Sequence, residues 1–280
     1  MHWQTSRRTI TIDRPLVMGI LNVTPDSFSD GGKFSAIDAA VARAEQMIAD
    51  GVDIIDIGGE STRPGSSRVN TELELARVVP VIERIADSGI PISVDTTKLA
   101  VAVTAVAAGA EIINDISGLR WDAALADVAA TTNAGLILMH SRGEFETLHS
   151  EPPVDDILRD VSSSLSTSIS TAKKRGIREE QIALDVGIGF GKTLEQNLEL
   201  IAKLDTIVAE FENFPILVGS SRKSFIGKVL GGLPVDERLA GSLASAIAAV
   251  QKGANILRVH DVRETVQALK LLDAIESSDA

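Results

Sequence analysis

The chain has 280 residues, 44% hydrophobic and 24% charged, which suits one folded domain of ordinary composition, residues 1–280. A formal charge of −12 argues against nucleic acid, and an aromatic content of 3% without tyrosine argues against base-stacking platforms. With no cysteine there is no disulfide, thiolate metal site or cysteine nucleophile. No apolar run approaches the roughly 18 residues that span a membrane, so no membrane partner is expected and the cytoplasm is the expected location. An anionic small substrate then requires a local cationic cluster that outweighs the global charge.

Residues 1–15, alternating at 9–12, predict a small hairpin, with the barrel described next occupying residues 16–280. Eight apolar runs follow, at residues 16–21, 53–57, 90–94, 111–113, 135–139, 181–184, 215–218 and 255–259. They stop before Asn22, Gly58, Asp95, Asn114, His140, Asp185, Gly219 and His260 in that order. Each gap can hold a helix. Eight buried strands alternating with helices, with reactive groups at one end, predict an α/β fold of the (β/α)8 TIM barrel type, its N-terminal β-hairpin closing the bottom.

The intervening helices carry start signals. Ser35 precedes an apolar face of Ile37, Val41, Ala44 and Ile48, and Gly51 suits a left-handed terminus. Thr71 with Glu74, and Thr193 with Gln196, have capping-box spacing. Residues 162–170 are serine-rich, yet Ile157, Val161, Leu165 and Ile169 recur every fourth residue and predict a helix rather than a linker. Asp236 and Asp261 precede the last two helical faces. The segments 23–34, 58–70 and 141–153 are long, which marks functional loops on the catalytic face; the first two are expected to act as mobile lids.

GIGFGKT at residues 187–193 is close to a phosphate loop, but the position that needs the first glycine is Val186. A tight turn that brings Asp185 and Phe190 to a pocket is the better reading. Asp95, Asn114 and Asp185 end strands as short hydrogen-bonding groups. Two carboxylates and an amide suit a flat heterocycle with several N–H donors. Arg63, Lys223, Arg258 and His260 supply the required cationic set, with Lys223 after strand seven and Arg258 and His260 at the end of strand eight, beside the loops where this fold binds phosphate. The histidines have no metal-ligand spacing; Asn22 beside a diphosphate suits Mg2+, a hard cation. The role of His140 stays open.

NVTPDSFSDGG (22–32), GGESTRPG (58–65), NDISG (114–118), GIGFGK (187–192), SRKSFIG (221–227) and RVHDV (258–262) together resemble dihydropteroate synthase. The resemblance implies a transferase of folate biosynthesis and a sulfonamide target. It would join 4-aminobenzoate to 6-hydroxymethyl-7,8-dihydropterin diphosphate, releasing diphosphate and giving 7,8-dihydropteroate. It also implies a homodimer and Mg2+ near Asn22. By motif, Asp95, Asn114, Asp185, Lys223 and Arg258 would bind the pterin. Asn22, Arg63, Arg258 and His260 would hold the diphosphate. Phe28, Thr62, Arg63, Pro64, Phe190 and Ser224 would form the aminobenzoate site. The resemblance casts Asp30 as a stabiliser of a cationic pterin methylene, so the catalytic set is Asp30, Asn22, Arg63, Lys223, Arg258 and His260.

Two departures stand out. Val186 replaces the family's usual proline, which is expected to loosen the turn at Asp185. Glu144–Phe145–Glu146 alters the fifth loop. A pterin-binding methyltransferase of the same superfamily, or a non-catalytic pterin-binding paralogue, is the alternative.

Overall fold

Strands buried on both faces organise the molecule, alternate residues facing the barrel interior and the helices around it. The computed structural model describes residues 1–24, 33–63 and 65–279. After the hairpin strands β1 (His2–Gln4) and β2 (Thr9–Thr11) come β3 (Leu16–Asn22), β4 (Ile54–Gly58), β5 (Ile92–Asp95) and β6 (Ile112–Asp115). β7 (Gly135–Met139), β8 (Ile182–Asp185), β9 (Ile216–Val218) and β10 (Ile256–Val259) complete the set. β3 to β10 pair in parallel in chain order and β10 returns to β3, so the eight-stranded sheet is a closed barrel without an edge. The antiparallel pair β1–β2 stands apart from that sheet.

Helices fill the gaps: α1 (Lys33–Ala49), α2 (Thr71–Ile85), α3 (Leu99–Ala108), α4 (Leu125–Thr132) and α5 (Ile157–Lys174). They continue as α6 (Leu194–Ala202), α7 (Leu204–Glu210), α8 (Ser224–Val229), α9 (Leu239–Gln251) and α10 (Val262–Glu276). Outward strand residues such as Val17, Ile55, Val94 and Leu136 pack with Ala44, Val81, Ala102 and Leu165 in one large buried cluster. The serine-rich α5 buries Ile157, Val161 and Leu165, so tertiary packing holds a helix whose intrinsic propensity is mediocre.

Several helix starts differ from expectation in an instructive way. α1 begins at Lys33, two residues before Ser35. At α2 the cap is Asn70, whose side chain accepts from the Leu73 N–H at 2.8 Å. Glu74 is instead drawn into the interior, where Thr96 Oγ1 donates to it at 2.6 Å and the Lys98 ammonium pairs with it. A buried carboxylate with a cation at hand has a stronger claimant than a helix terminus. α9 begins at Leu239, with Asp236 in a separate single turn. Asp261 occupies the position before α10 but pairs with Arg222 rather than the helix. The Thr193–Gln196 capping box is present as expected, and Gly51 has φ +89°.

Inside the barrel, Met18, Ile54, Ile112, Ile137, Ala183, Leu217 and Ile256 form a second cluster with Trp3 from the hairpin. Trp3 is fully buried and its indole N–H donates to the Gln181 carbonyl at 2.9 Å. The hairpin therefore plugs the end of the barrel opposite the C-terminal strand ends. Trp3→Ala should lower the free energy of chemical unfolding by about 3–5 kcal/mol, the usual range for a buried large aromatic. Trp3→Phe, which keeps most of the packing and loses one hydrogen bond, should cost about 1 kcal/mol. A Trp3→Ala midpoint equal to that of the parent would show that the hairpin is no plug.

Candidate active site

Two residues beyond the apolar interior layer, the same inward parity places polar groups at the barrel mouth. Ile54 is followed by Asp56, Ser93 by Asp95, Ile112 by Asn114, Ala183 by Asp185, and Ile256 by Arg258. The strand register keeps them together, since Asp95 pairs with Asn114 and Gly58 with Asp95. The layer below is apolar apart from Ser93 and the layer above is polar or ionic, so the mouth is charged on a low-dielectric floor.

Arg258 is the hub of this layer. Its guanidinium donates to Asp56 Oδ2 at 2.6 Å and to Asp95 Oδ2 at 2.7 Å. Asn114 Nδ2 donates to the same Asp56 oxygen at 3.1 Å. Asp56 is completely buried, and its Oδ1 has no partner among the described residues. Burial works against the Arg258 charge, but Asp56 and Asp95 together outweigh it and raise its pKa. Burial pushes Asp95 up to about 7 while Arg258 pulls it down. Asp185 is also raised by burial, against the opposing pull of Lys223 and the Gly187 N–H.

The segment after β8 wraps its own lysine. Gly187, Gly189 and Gly191 have φ of +66°, +86° and +61°, conformations that favour glycine. At Gly187 a Cβ would lie 1.8 Å from the His140 carbonyl oxygen, so no other residue fits. Lys192 Nζ donates to the carbonyls of Gly187 at 2.7 Å and Phe190 at 3.1 Å, and to His140 Nδ1 at 2.8 Å. The glycines thus make a tight turn rather than a phosphate cradle. That turn fixes Asp185, whose Oδ1 accepts from the Gly187 N–H at 2.7 Å. Val186, fully buried, does not prevent it.

His140 has the opposite parity to Met139 and points away from the mouth. Nε2 meets Asp160 at 3.1 Å and Nδ1 accepts from Lys192. Burial, then the Lys192 charge, lowers its pKa to about 4, so it is a neutral bridge between β7, α5 and the loop after β8. Its role is architectural.

The cationic side forms without His260, which the sequence counts among the cations but whose burial beside three arginines keeps it neutral. Lys223 precedes α8 and donates to the Ile188 carbonyl. Its stem passes Gly189, where a Cβ would meet Lys223 Cδ at 2.9 Å. Its ammonium sits 4.5 Å from the Phe190 ring centroid, within cation–π range. His260 makes contacts of 3.2 Å with Ser221 Oγ through both its backbone N–H and Nδ1. Burial, followed by the charges of Arg258, Arg222 and Arg63, lowers His260 to about 3. It is therefore neutral near pH 7, and the exposed Arg63 lies close enough for its charge to be felt there.

Comparisons with known proteins agree with this geometry. Residues 18–260 match the family described as Pterin binding enzyme. The chain is 49% identical to dihydropteroate synthase of Bacillus subtilis (strain 168) over 264 residues, 94% of this chain and 89% of that one. The chain belongs to the dihydropteroate synthase family. Among solved structures, Xanthomonas albilineans dihydropteroate synthase with 4-aminobenzoic acid superposes with a TM-score of 0.91 at 43% identity, covering 99% of each chain. Burkholderia cenocepacia dihydropteroate synthase complexed with 7,8-dihydropteroate gives 0.90 at 43% identity, over 99% of this chain and 97% of that one. Family membership makes the chain a transferase and sets the methyltransferase alternative aside.

Measured against the family pattern, the mouth unites Asp95, Asn114, Asp185, Lys223 and Arg258, with Phe190 against Lys223 and His260 within electrostatic reach of Arg258 and Arg63. Asn22 ends β3 half-buried, Thr62 lies in the loop after β4, and Ser224 is exposed at the first position of α8. Phe28, Asp30 and Pro64 lie outside the described residues. The mouth also contains Asp56, a single polar residue inside the apolar run 53–57 whose parity with Ile54 marks its inward position.

Burial lowers Lys223 to about 8, with Asp185 partly restoring it. Lys223 is therefore cationic below that value and neutral above it. Pterin affinity of the free protein should fall as pH rises through about 8, by up to tenfold per unit beyond it. Titration calorimetry with a pterin across this range checks the sign; an affinity that stays level to about pH 9.5 would contradict it.

Proposed function

We propose that this chain condenses 6-hydroxymethyl-7,8-dihydropterin diphosphate with 4-aminobenzoate by a dissociative substitution at the barrel mouth. The observation that carries this reading is the convergence of Asp95, Asn114 and Asp185 with Lys223 and Arg258 on one apolar-floored site. Carboxylate and amide acceptors match the N–H edge of a pterin ring, and the two cations match its acceptor atoms and its electron-rich face. Arg258, Arg63 and neutral His260 face the diphosphate, giving charge and N–H donors where negative charge accumulates as the bond breaks.

In the reaction, the C–O bond between the pterin methylene and diphosphate breaks, and its electron pair leaves with diphosphate. The cationic methylene is stabilised by ring electrons and by the negative field of Asp95 and Asp56, with Asp30 assigned the same task. The aminobenzoate nitrogen then forms the C–N bond and gives up a proton to solvent. Thr62, Arg63, Pro64, Phe28, Phe190 and Ser224 would hold this second substrate. None of these residues acts as a covalent nucleophile. Closure of the loop after β4 would keep water from the electrophile, and most of the first expected lid lies outside the described residues.

Mg2+ fits the oxygen donors at the mouth. Among the described residues no group of three or more carboxylates and histidines could hold a metal alone. At Gly58 the missing side chain leaves a space bordered by Asn22 Oδ1 and Asp95 Oδ2, at 3.7 and 3.8 Å from where a Cβ would lie. Oxygen donors of this kind suit a hard cation otherwise held by water and phosphate. Bound there, Mg2+ would neutralise charge on the leaving group, with Asn22 as its protein ligand.

The reading includes a cytoplasmic homodimer. The lack of cysteine suits a reducing compartment, and no helix among the described residues is long and apolar enough to cross a membrane. Val229, Leu230 and Val235 are exposed at 52%, 44% and 45% on and just after α8, a patch that a second copy would cover.

Purified protein with Mg2+ and the pterin diphosphate should release diphosphate and form dihydropteroate only when 4-aminobenzoate is added. Pterin binding without aminobenzoate-dependent turnover would instead identify a non-catalytic paralogue.

A further inference from the structure

We propose that His149, in the loop after β7, is a positioning residue for the aminobenzoate half of the reaction. It straps that loop across the loops after β4 and β8. The inference rests on the function proposed above, and it assigns the fifth loop a part in that site.

The contacts converge on residues already placed around the second substrate. His149 Nε2 lies 2.7 Å from the Thr62 carbonyl oxygen. That oxygen can only accept, so Nε2 carries the hydrogen. The imidazole also lies against the Phe190 ring, with centroids 5.8 Å apart and planes at 28°, within the range of offset stacking. Phe190 in turn has the Lys223 ammonium 4.5 Å from its centroid. A single side chain therefore touches the backbone of one aminobenzoate residue and the ring of another, and it reaches pterin-binding Lys223 only through Phe190.

The rest of the fifth loop is built to hold His149 there. Leu148 beside it is 1% exposed and packs with Phe145, Ile116 and Met139. Phe145 meets Trp121 edge-on at 6.1 Å, and the Arg68 guanidinium sits 5.5 Å from the Phe145 ring. Arg142 at the loop's start donates to the Pro152 carbonyl at 2.5 Å and to the Gly191 carbonyl at 3.3 Å. The altered stretch Glu144–Phe145–Glu146 thus supplies a buried foot, Phe145, while His149 is the exposed tip that reaches the pocket. An exposed histidine that merely coated the surface would not need both a backbone acceptor and a ring from two other loops.

Removing the imidazole leaves the Thr62 carbonyl without its donor and the Phe190 ring without one neighbour, so the aryl site loosens while the barrel-mouth network is untouched. His149→Ala should raise the KM for 4-aminobenzoate about 3- to 10-fold, the effect of one hydrogen bond and one ring contact on a partly exposed site. The KM for the pterin diphosphate should stay within about twofold, since the nearest pterin ligand is one residue removed. His149→Gln can keep the hydrogen bond and His149→Phe the ring contact, so each should recover part of the loss. An aminobenzoate KM unchanged in His149→Ala, equal rises in both KM values, or no recovery in either conservative variant would overturn the inference. If the parent itself shows no aminobenzoate-dependent turnover, the proposed function fails and takes this inference with it. Parent turnover with an indifferent His149→Ala removes the inference alone.

Discussion

A guanidinium buried in a barrel must be paired, and much of this site follows from how Arg258 is paired. It lies 19% exposed between Asp56, fully buried, and Asp95, 16% exposed. Neither carboxylate could be placed on an apolar floor without the cation, nor the cation without both carboxylates. Two anions around one cation also leave a net negative charge at the mouth. That excess both favours a developing cation and draws Lys223 toward Asp185. An overall charge of −12 is compatible with an anionic leaving group only where local cations such as Arg63 outweigh it. The carboxylates cluster around Arg258, whereas Arg63 and the segment before α8 carry positive charge beside the neutral His260.

The same economy of partners explains the loops. Lys192 takes up the carbonyls of a three-glycine turn and a histidine nitrogen, so the turn that resembles a phosphate loop is closed from within. Glu60 accepts from the Val69 N–H at 2.6 Å and from Lys98 at 2.9 Å, joining the beginning of the loop after β4 to its end. Asp115 of the NDISG segment accepts from the backbone of Ser117 at 2.8 Å and of Leu119 at 2.6 Å, holding the turn next to Asn114. Each anchor keeps a strand-end residue in position without entering the mouth itself.

The barrel was legible because eight short apolar runs recur with enough chain between them for a helix, and Asp95, Asn114 and Asp185 were legible because they stop such runs. Residues that do not stop a run were harder to read. Asp56 sits between Ile55 and Ile57, and only strand parity, counted from Ile54, assigns it to the interior. Parity also turns His140 away from the mouth, although it stops an apolar run as Asp95 and Asn114 do. Helix caps were misplaced wherever a polar side chain had a stronger claimant. Glu74 went to Lys98 and Asp261 to Arg222, and the cap duty at α2 fell to Asn70. The contact of His149 with Thr62 spans 87 residues of chain, and no local spacing could announce it.

The claim that paired carboxylates around Arg258 organise the site is most directly tested by a double-mutant cycle between Asp56 and Arg258, read by chemical unfolding and by pterin binding. Asp56→Asn alone should destabilise the protein by about 3–5 kcal/mol, as expected when a buried pair loses one charge. Adding Arg258→Met should cost less than the sum of the two single losses while pterin binding stays impaired, giving a coupling energy of about 1 kcal/mol or more. Additive effects on stability, or full pterin affinity in Asp56→Asn, would contradict it.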